Sequence, residues 1–167
     1  MEKEKRTLKF SEIFGFGAGG MFTYGFQLMI TGYYLLYYMT DIAGFSTVLA
    51  ASLYSTIQII KMVTMLFSGV IIDAINFRSG KYRTWVLVSG IGLGLFFPLS
   101  FFYYPLPQSV YVVVFMIIYT LQTLFYNVGW TAMRAVIGKV AKNKADVVAL
   151  NTSAQSAGTI SSILYGY

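Results

Sequence analysis

Cysteine and histidine are absent from the 167 residues, proline occurs three times, and only 11% of the side chains are charged. Without cysteine there is no disulfide framework and no thiolate nucleophile. Without histidine as well, most zinc sites and imidazole acid–base chemistry go too. No motif calls for a cofactor or a metal. A soluble domain carries about 25% charged residues, and this chain has less than half of that. In their place it has 57% hydrophobic and 18% aromatic residues and a mean hydropathy of +0.66. An ordinary cytosolic enzyme does not have this composition. The net charge of +6 and pI near 9.5 would suit a nucleic-acid binder, but only if the charges share a surface.

They do not; they cluster, and the gaps between clusters are long. Glu12 to Asp41 encloses 28 uncharged residues, Arg83 to Arg134 encloses 50, and 21 follow Asp146. A hydrocarbon core about 30 Å thick needs roughly 20 residues of helix at about 1.5 Å each. The first gap therefore fits one span. The second fits two, divided at Pro105-Leu106-Pro107-Gln108-Ser109, where two prolines break a helix. Another span lies between Asp41 and Asp73, interrupted only by Lys61, and a weaker one, rich in Ser, Thr, Gly and Asn, follows Asp146. The expectation is an all-α polytopic membrane bundle, with helices near 13–39, 46–72, 85–104, 110–132 and 147–166 behind a tail of residues 1–12. Buried helices of a soluble protein alternate polar and apolar faces, and Trp85 to Tyr104 has no charged face.

The basic residues now find their places. Lys3, Lys5, Arg6 and Lys9 lie in the tail, Arg78, Lys81 and Arg83 follow the second helix, and Arg134, Lys139, Lys142 and Lys144 follow the fourth. Eleven of twelve fall on one side, and Lys61 lies within a span. The positive-inside rule then places the N-terminus in the cytoplasm of a multi-pass protein of the cell membrane. Topology accounts for the charge, and no nucleic acid is needed. The first apolar run is too long for a signal peptide and lacks a cleavage site, so it reads as a retained helix.

Polar side chains recur at helical spacing inside the spans. Gly17, Gly20, Tyr24, Gln27 and Thr31 share one face of the first. Tyr54, Gln58, Lys61, Met65 and Ser68 share one face of the second. Thr120, Thr123, Asn127 and Thr131 form a stripe in the fourth, with Tyr119, Tyr126 and Trp130 beside it, and Asn151, Gln155, Gly158 and Ser162 form one in the fifth. The third helix has only Ser89, Ser100 and glycines and reads as lipid-facing. A mid-span ammonium costs roughly 2.5–3.5 kcal/mol on insertion scales, so Lys61 must meet a watery cavity or an acid, the plainer alternative being a helix-packing lysine paired to a carbonyl. The stripes suit either helix packing or an aqueous path, and aromatic rings beside amides and hydroxyls suit a sugar. As a set, Tyr24, Gln27, Gln58, Lys61, Asn127, Trp130 and Gln155 are the candidate solute-binding residues.

The segment after the second helix is the most specific: Gly69, then Asp73 one turn later, then Arg78-Ser-Gly80-Lys81-Tyr-Arg83-Thr-Trp85. Asp73 can pair with a nearby arginine or cap a helix, so the segment reads as a tight turn with a charge network. It resembles the signature between helices 2 and 3 of major facilitator transporters, and the resemblance implies that Gly69, Asp73, Arg78, Gly80, Lys81 and Arg83 form a cytoplasmic gate loop. In detail it is similar to that of the glycoside–pentoside–hexuronide:cation symporters, the family of melibiose permease, with Thr84 where proline is usual. Tyr37-Tyr38-Met-Thr40-Asp41-Ile-Ala-Gly44-Phe-Ser46 resembles that family's end of helix 1. Asn127-Val-Gly129-Trp130 resembles a helix 4 motif, with Gly129 replacing proline. The matches are spread over residues 8–167.

The resemblance implies a sugar or glycoside symporter working by alternating access between two six-helix halves. Its coupling cation would sit on two helix 2 aspartates one turn apart. Counted back from Asp73, those positions are Lys61 and Met65, neither of which ligates Na⁺. The expectation is loss of Na⁺ coupling, leaving uniport or a proton-linked cycle through Lys61. The family's acidic sugar contact in helix 1 and its arginine in helix 5 have no counterpart. A five-helix chain whose last span ends at Tyr165-Gly166-Tyr167 without a polar flank reads as helices 1–5 of a truncated N-terminal half, the C-terminal half being its missing partner. The rival readings are a small oligomeric scaffold or channel, or a membrane-embedded enzyme, for which acid–base groups are lacking.

Overall fold

The computed structural model describes residues 7–20, 27, 30–77 and 80–165. All regular structure among them is helical. The helices are α1 (Phe10–Gly20), α2 (Thr47–Ala74), α3 (Lys81–Ser100), α4 (Gln108–Val140) and α5 (Lys144–Tyr165). Between α1 and α2, two π-wound stretches, Ile30–Tyr34 and Tyr38–Ile42, flank a single α-turn, Leu35–Tyr37. By length and composition, α2, α3 and α4 can each cross a membrane. The protein is therefore an all-helical integral membrane protein. The expected first span lies partly outside the described residues. The hydroxyls, amides and glycines of α5 keep it below the apolarity of the other three.

Helix ends follow local chemistry, which moves several expected boundaries. Gly44 sits at φ 69° after the second π stretch, where only glycine is unstrained, and lets Phe45 N–H reach back to Met39 O at 2.9 Å. Ser46 then caps α2, its hydroxyl accepting from Leu49 N–H. Gly80, at φ 101°, starts α3 at Lys81, four residues before the expected start. The same helix stops at Ser100 rather than 104, because Pro98 lies in its last turn and Phe101 N–H folds back to Pro98 O. Nothing breaks α4 after 132, so it runs on to Val140.

Two compact units result: residues 35–133, and residues 1–34 with 134–167. In the first, α2 and α4 run parallel, since Lys61 and Thr64 meet Asn127 while Ser68 meets Thr131. The seam holds two apolar clusters. Leu53 and Ile57 belong with Phe115 and Tyr119 in one, and Ile72 with Trp85, Val128 and Ala132 in the other. α3 is antiparallel to α4: Ser100 donates to Gln122 Oε1 at 2.8 Å, Phe96 stacks on Phe125, and Ser89 faces Gly129. Its other side, with Leu87, Ile91 and Leu95, is exposed and apolar, as a lipid-facing helix requires. Tyr38 OH lies 2.6 Å from Tyr111 OH and donates to Phe102 O, tying three segments at the Pro107 end. In the second unit α1 and α5 run parallel, with Ser153 Oγ donating to Ile13 O at 2.7 Å beside Gly17.

Close approach at Gly129 makes a direct test. A Cβ there would lie 2.7 Å from Ser89 Cβ, whereas one at Gly94 would meet nothing. Gly129→Ala should destabilise the protein by about 1–3 kcal/mol. Gly94→Ala should be neutral or stabilising by up to about 1 kcal/mol. Thermal unfolding of the two purified variants in detergent checks both.

Candidate functional site

Within residues 35–133 the polar stripe of α2 meets that of α4, and Ser68, Asn127 and Thr131 are spent on joining the helices. Asn127 Nδ2 donates to Lys61 O at 3.0 Å and to Thr64 Oγ1 at 2.7 Å. Thr64 Oγ1 in turn donates a hydrogen bond to Ile60 O at 2.8 Å. One turn on, Ser68 Oγ and Thr131 Oγ1 lie 2.7 Å apart. Thr120 bonds back to Met116 O in its own helix. Asn127, Ser68 and Thr131 therefore hold α2 against α4 at a fixed register, and Asn127 grips the backbone of the very residue that carries the ammonium.

Lys61 itself is half-buried at that seam, and no carboxylate among the described residues comes within ion-pair distance of it. Gln58 and Met65 are exposed on the same helix, and Trp130 is buried three residues beyond Asn127. Tyr119 and Thr123, two turns and one turn before Asn127, keep buried hydroxyls without a partner among the described residues. In lipid such groups are expensive, so this stretch of α4 is more polar than packing needs. In the other unit, Gln27 is buried with its carbonyl accepting from Thr31 Oγ1 at 2.7 Å, and Gln155 is exposed. Tyr24 and Arg78 lie outside the described residues.

The loop after α2 carries a charge pair, though its cation is a lysine rather than an arginine. Lys81 Nζ lies 2.6 Å from Asp73 Oδ1, linking the last turn of α2 to the first residue of α3 across Gly80. Arg83 is exposed, and so is the Asp73 side chain, at 74%. An ion pair this wet is worth about 0–1 kcal/mol. Gly69, one turn before Asp73, has open space where a side chain would project.

Sequence reasoning passed over Asp146. Its fully buried carboxylate accepts from Thr7 N–H at 2.9 Å, the Thr7 hydroxyl, Leu8 N–H at 3.3 Å and Lys142 N–H at 3.3 Å. Its own N–H donates to Asn143 Oδ1 at 2.8 Å. This is half of a capping box, with the acid turned away to hold the N-terminal segment. Asn143-x-x-Asp146 ahead of an apolar run was the available signal. The Thr7 hydroxyl bond, and after it the backbone N–H groups, lower the pKa of Asp146 to about 2 against the opposing effect of burial.

The family model described as "MFS/sugar transport protein" matches residues 15–166. YagG of Escherichia coli (strain K12), provisionally named a glycoside/cation symporter, is 29% identical over 74% of this chain and 27% of its own length. The inner membrane symporter YicJ of the same organism is 26% identical over 62% of this chain and 23% of its own. The isoprimeverose transporter of Lactiplantibacillus pentosus is 24% identical over 93% of this chain and 32% of its own. The chain thus spans about a quarter to a third of the length of these curated relatives. No solved structure matches it significantly.

Two measurements follow from this geometry. Asn127→Ala and Thr64→Val should each loosen the seam, and the double variant should cost less than their sum by about 0.6–1.7 kcal/mol; unfolding in detergent reads that coupling. For Asp146 the shift is downward, so its stabilisation is complete above the ordinary carboxylate value of 3.8 and is lost as pH falls toward about 2. Thermal melts against pH should show an acid-side decline that is weaker in Asp146→Asn.

Proposed function

The chain belongs to the MFS/sugar transport protein family, and we propose that it contributes the first helices of a secondary transporter that moves a sugar or glycoside by alternating access. The family match over residues 15–166 carries this reading. The printed names of the relatives, among them an isoprimeverose transporter and a glucuronide carrier protein homolog, support a small carbohydrate as cargo. In this reading α1 with residues 30–42 is the first span and α5 the fifth. The tail of residues 1–12 lies in the cytoplasm, where the basic residues cluster. The transporting protein brings further helices, as the greater length of the relatives implies.

Lys61 occupies the place that the family resemblance gives to a cation-binding aspartate, with Met65 at the second. Its ammonium is a tethered cation in that site, so transport proceeds without Na⁺, as uniport or with a proton carried by Lys61. Gln58 and Trp130 serve the solute path in the same unit, and Asn127 positions Lys61 through its carbonyl. Gln27 and Gln155 are assigned as solute-contacting residues of their own unit, on polarity and placement. Tyr24, outside the described residues, is assigned by its place in the helix 1 stripe. Asp73, Lys81, Gly80, Gly69, Arg78 and Arg83 form the gate-side loop, where the Asp73–Lys81 pair supports a hinge between α2 and α3.

Uptake of labelled glycosides into vesicles holding the complete protein tests this. Uptake should be insensitive to replacing Na⁺ by K⁺, and Lys61→Gln should lower it at least tenfold. Clear Na⁺ stimulation that Lys61→Ala abolishes would refute the coupling scheme, and normal uptake by Lys61→Gln would refute the site.

A further inference from the structure

The Asp146 clamp does more than fasten the N-terminal segment; it assembles a surface. Lys142 and Leu8 donate their N–H groups to one carboxylate, so their neighbours Lys9 and Lys144 are brought to the same end of the α1/α5 pair. Lys139, one turn earlier on α4, belongs to the same compact unit. All four lysine side chains are exposed, and none takes part in an ion pair among the described residues. The acid that gathers them is itself buried and faces inward to its four donors. Glu12, the other described carboxylate here, is exposed and accepts from Lys9 N–H. Four exposed lysines thus outnumber the one exposed carboxylate described here, Glu12, because the Asp146 charge is turned in.

A second observation comes from the first turns of α1. Phe10 and Phe14 are 80% and 65% exposed, and their rings stack at 6.2 Å. Val148, on the first turns of α5, is likewise exposed. Water is a poor environment for two stacked phenyl rings, and acyl chain is a good one. Ammonium groups at the helix starts, with Phe10 next to Lys9 and Phe14 one turn deeper, match the profile of a phospholipid: phosphate above, hydrocarbon below.

We propose that Lys9, Lys142 and Lys144, with Phe10 and Phe14, form a binding site for an anionic phospholipid, its headgroup phosphate held by the lysines and its acyl chain laid on the two rings. Lys139 adds to the field without lining the site. The proposal rests on the reading of α1 and α5 as membrane-embedded. It commits to lipid rather than soluble phosphate because the exposed rings serve only a ligand with a chain.

The test is native mass spectrometry of the complete detergent-purified protein, titrated with phosphatidylglycerol and with phosphatidylcholine of the same acyl chains. Phosphatidylglycerol should be retained at least tenfold more tightly. A lysine near an anionic surface contributes about 1 kcal/mol, so the Lys9→Gln, Lys142→Gln, Lys144→Gln variant should lose affinity by roughly 100-fold. Its clamp is intact, because the clamp uses only the backbone of Lys142. Thr7→Val, which removes no charge, should weaken retention several-fold by releasing the segment, and Thr7→Ser should preserve it. Equal retention of the two lipids, or an unaffected lysine variant, would overturn the proposal. So would displacement of the lipid by millimolar inorganic phosphate. A fluorophore at position 10 quenched by brominated acyl chains reports embedding separately. Without quenching, the topological reading fails and this site with it; quenching without lipid preference removes the site alone.

Discussion

A polar group on a membrane-crossing helix has no water to fall back on, so it must find its partner inside the protein. That single requirement organises the unit built from α2, α3 and α4. Asn127 reaches the α2 backbone, Ser68 reaches Thr131, and Ser100 reaches Gln122. Each bond fixes the register of two helices that apolar contact alone would leave free to slide. Small residues do the complementary work: Gly129 admits Ser89, and Gly92 admits the Phe125 ring. The aromatic cluster around Tyr38 and Tyr111 then closes one end.

The proposed transport role rests on what this scheme leaves over. Lys61 is the charge on α2 between Thr47 and Ile72, and the carboxamide next to it is occupied with its carbonyl rather than its ammonium. The backbone is thus held while the charge stays available. Tyr119 and Thr123 add hydroxyls that no described residue meets. The proposed solute path draws on this combination of rigid helix and unspent polarity, since a solute would supply bonds that the protein withholds from itself.

Charge spacing made the helices from 47 to 140 legible, because uninterrupted apolar length is a bulk property that no local detail overrides. Their ends were less so. Gly80 at positive φ and Pro98 in a last turn each shifted α3 by four residues, through backbone effects that hydropathy does not register. Asn127 stood out as polar in a span, but a sequence stripe cannot distinguish a side chain lining a path from one bonded across a seam. Asp146 was missed for a different reason. It served only as the charge that bounds the last apolar run, and its importance comes from Thr7 and Leu8, which no spacing rule connects to it.

That last separation has a consequence in time. Thr7 and Asp146 are 139 residues apart in the chain. At a ribosome's pace of about 5–20 residues per second, roughly 7–28 s pass between the synthesis of the two. Throughout that interval the segment ahead of α1 has no buried acid to hold it, while the helices between are being made and inserted. The clamp can close only once the start of α5 has been made, so this contact is among the last that the described chain can form.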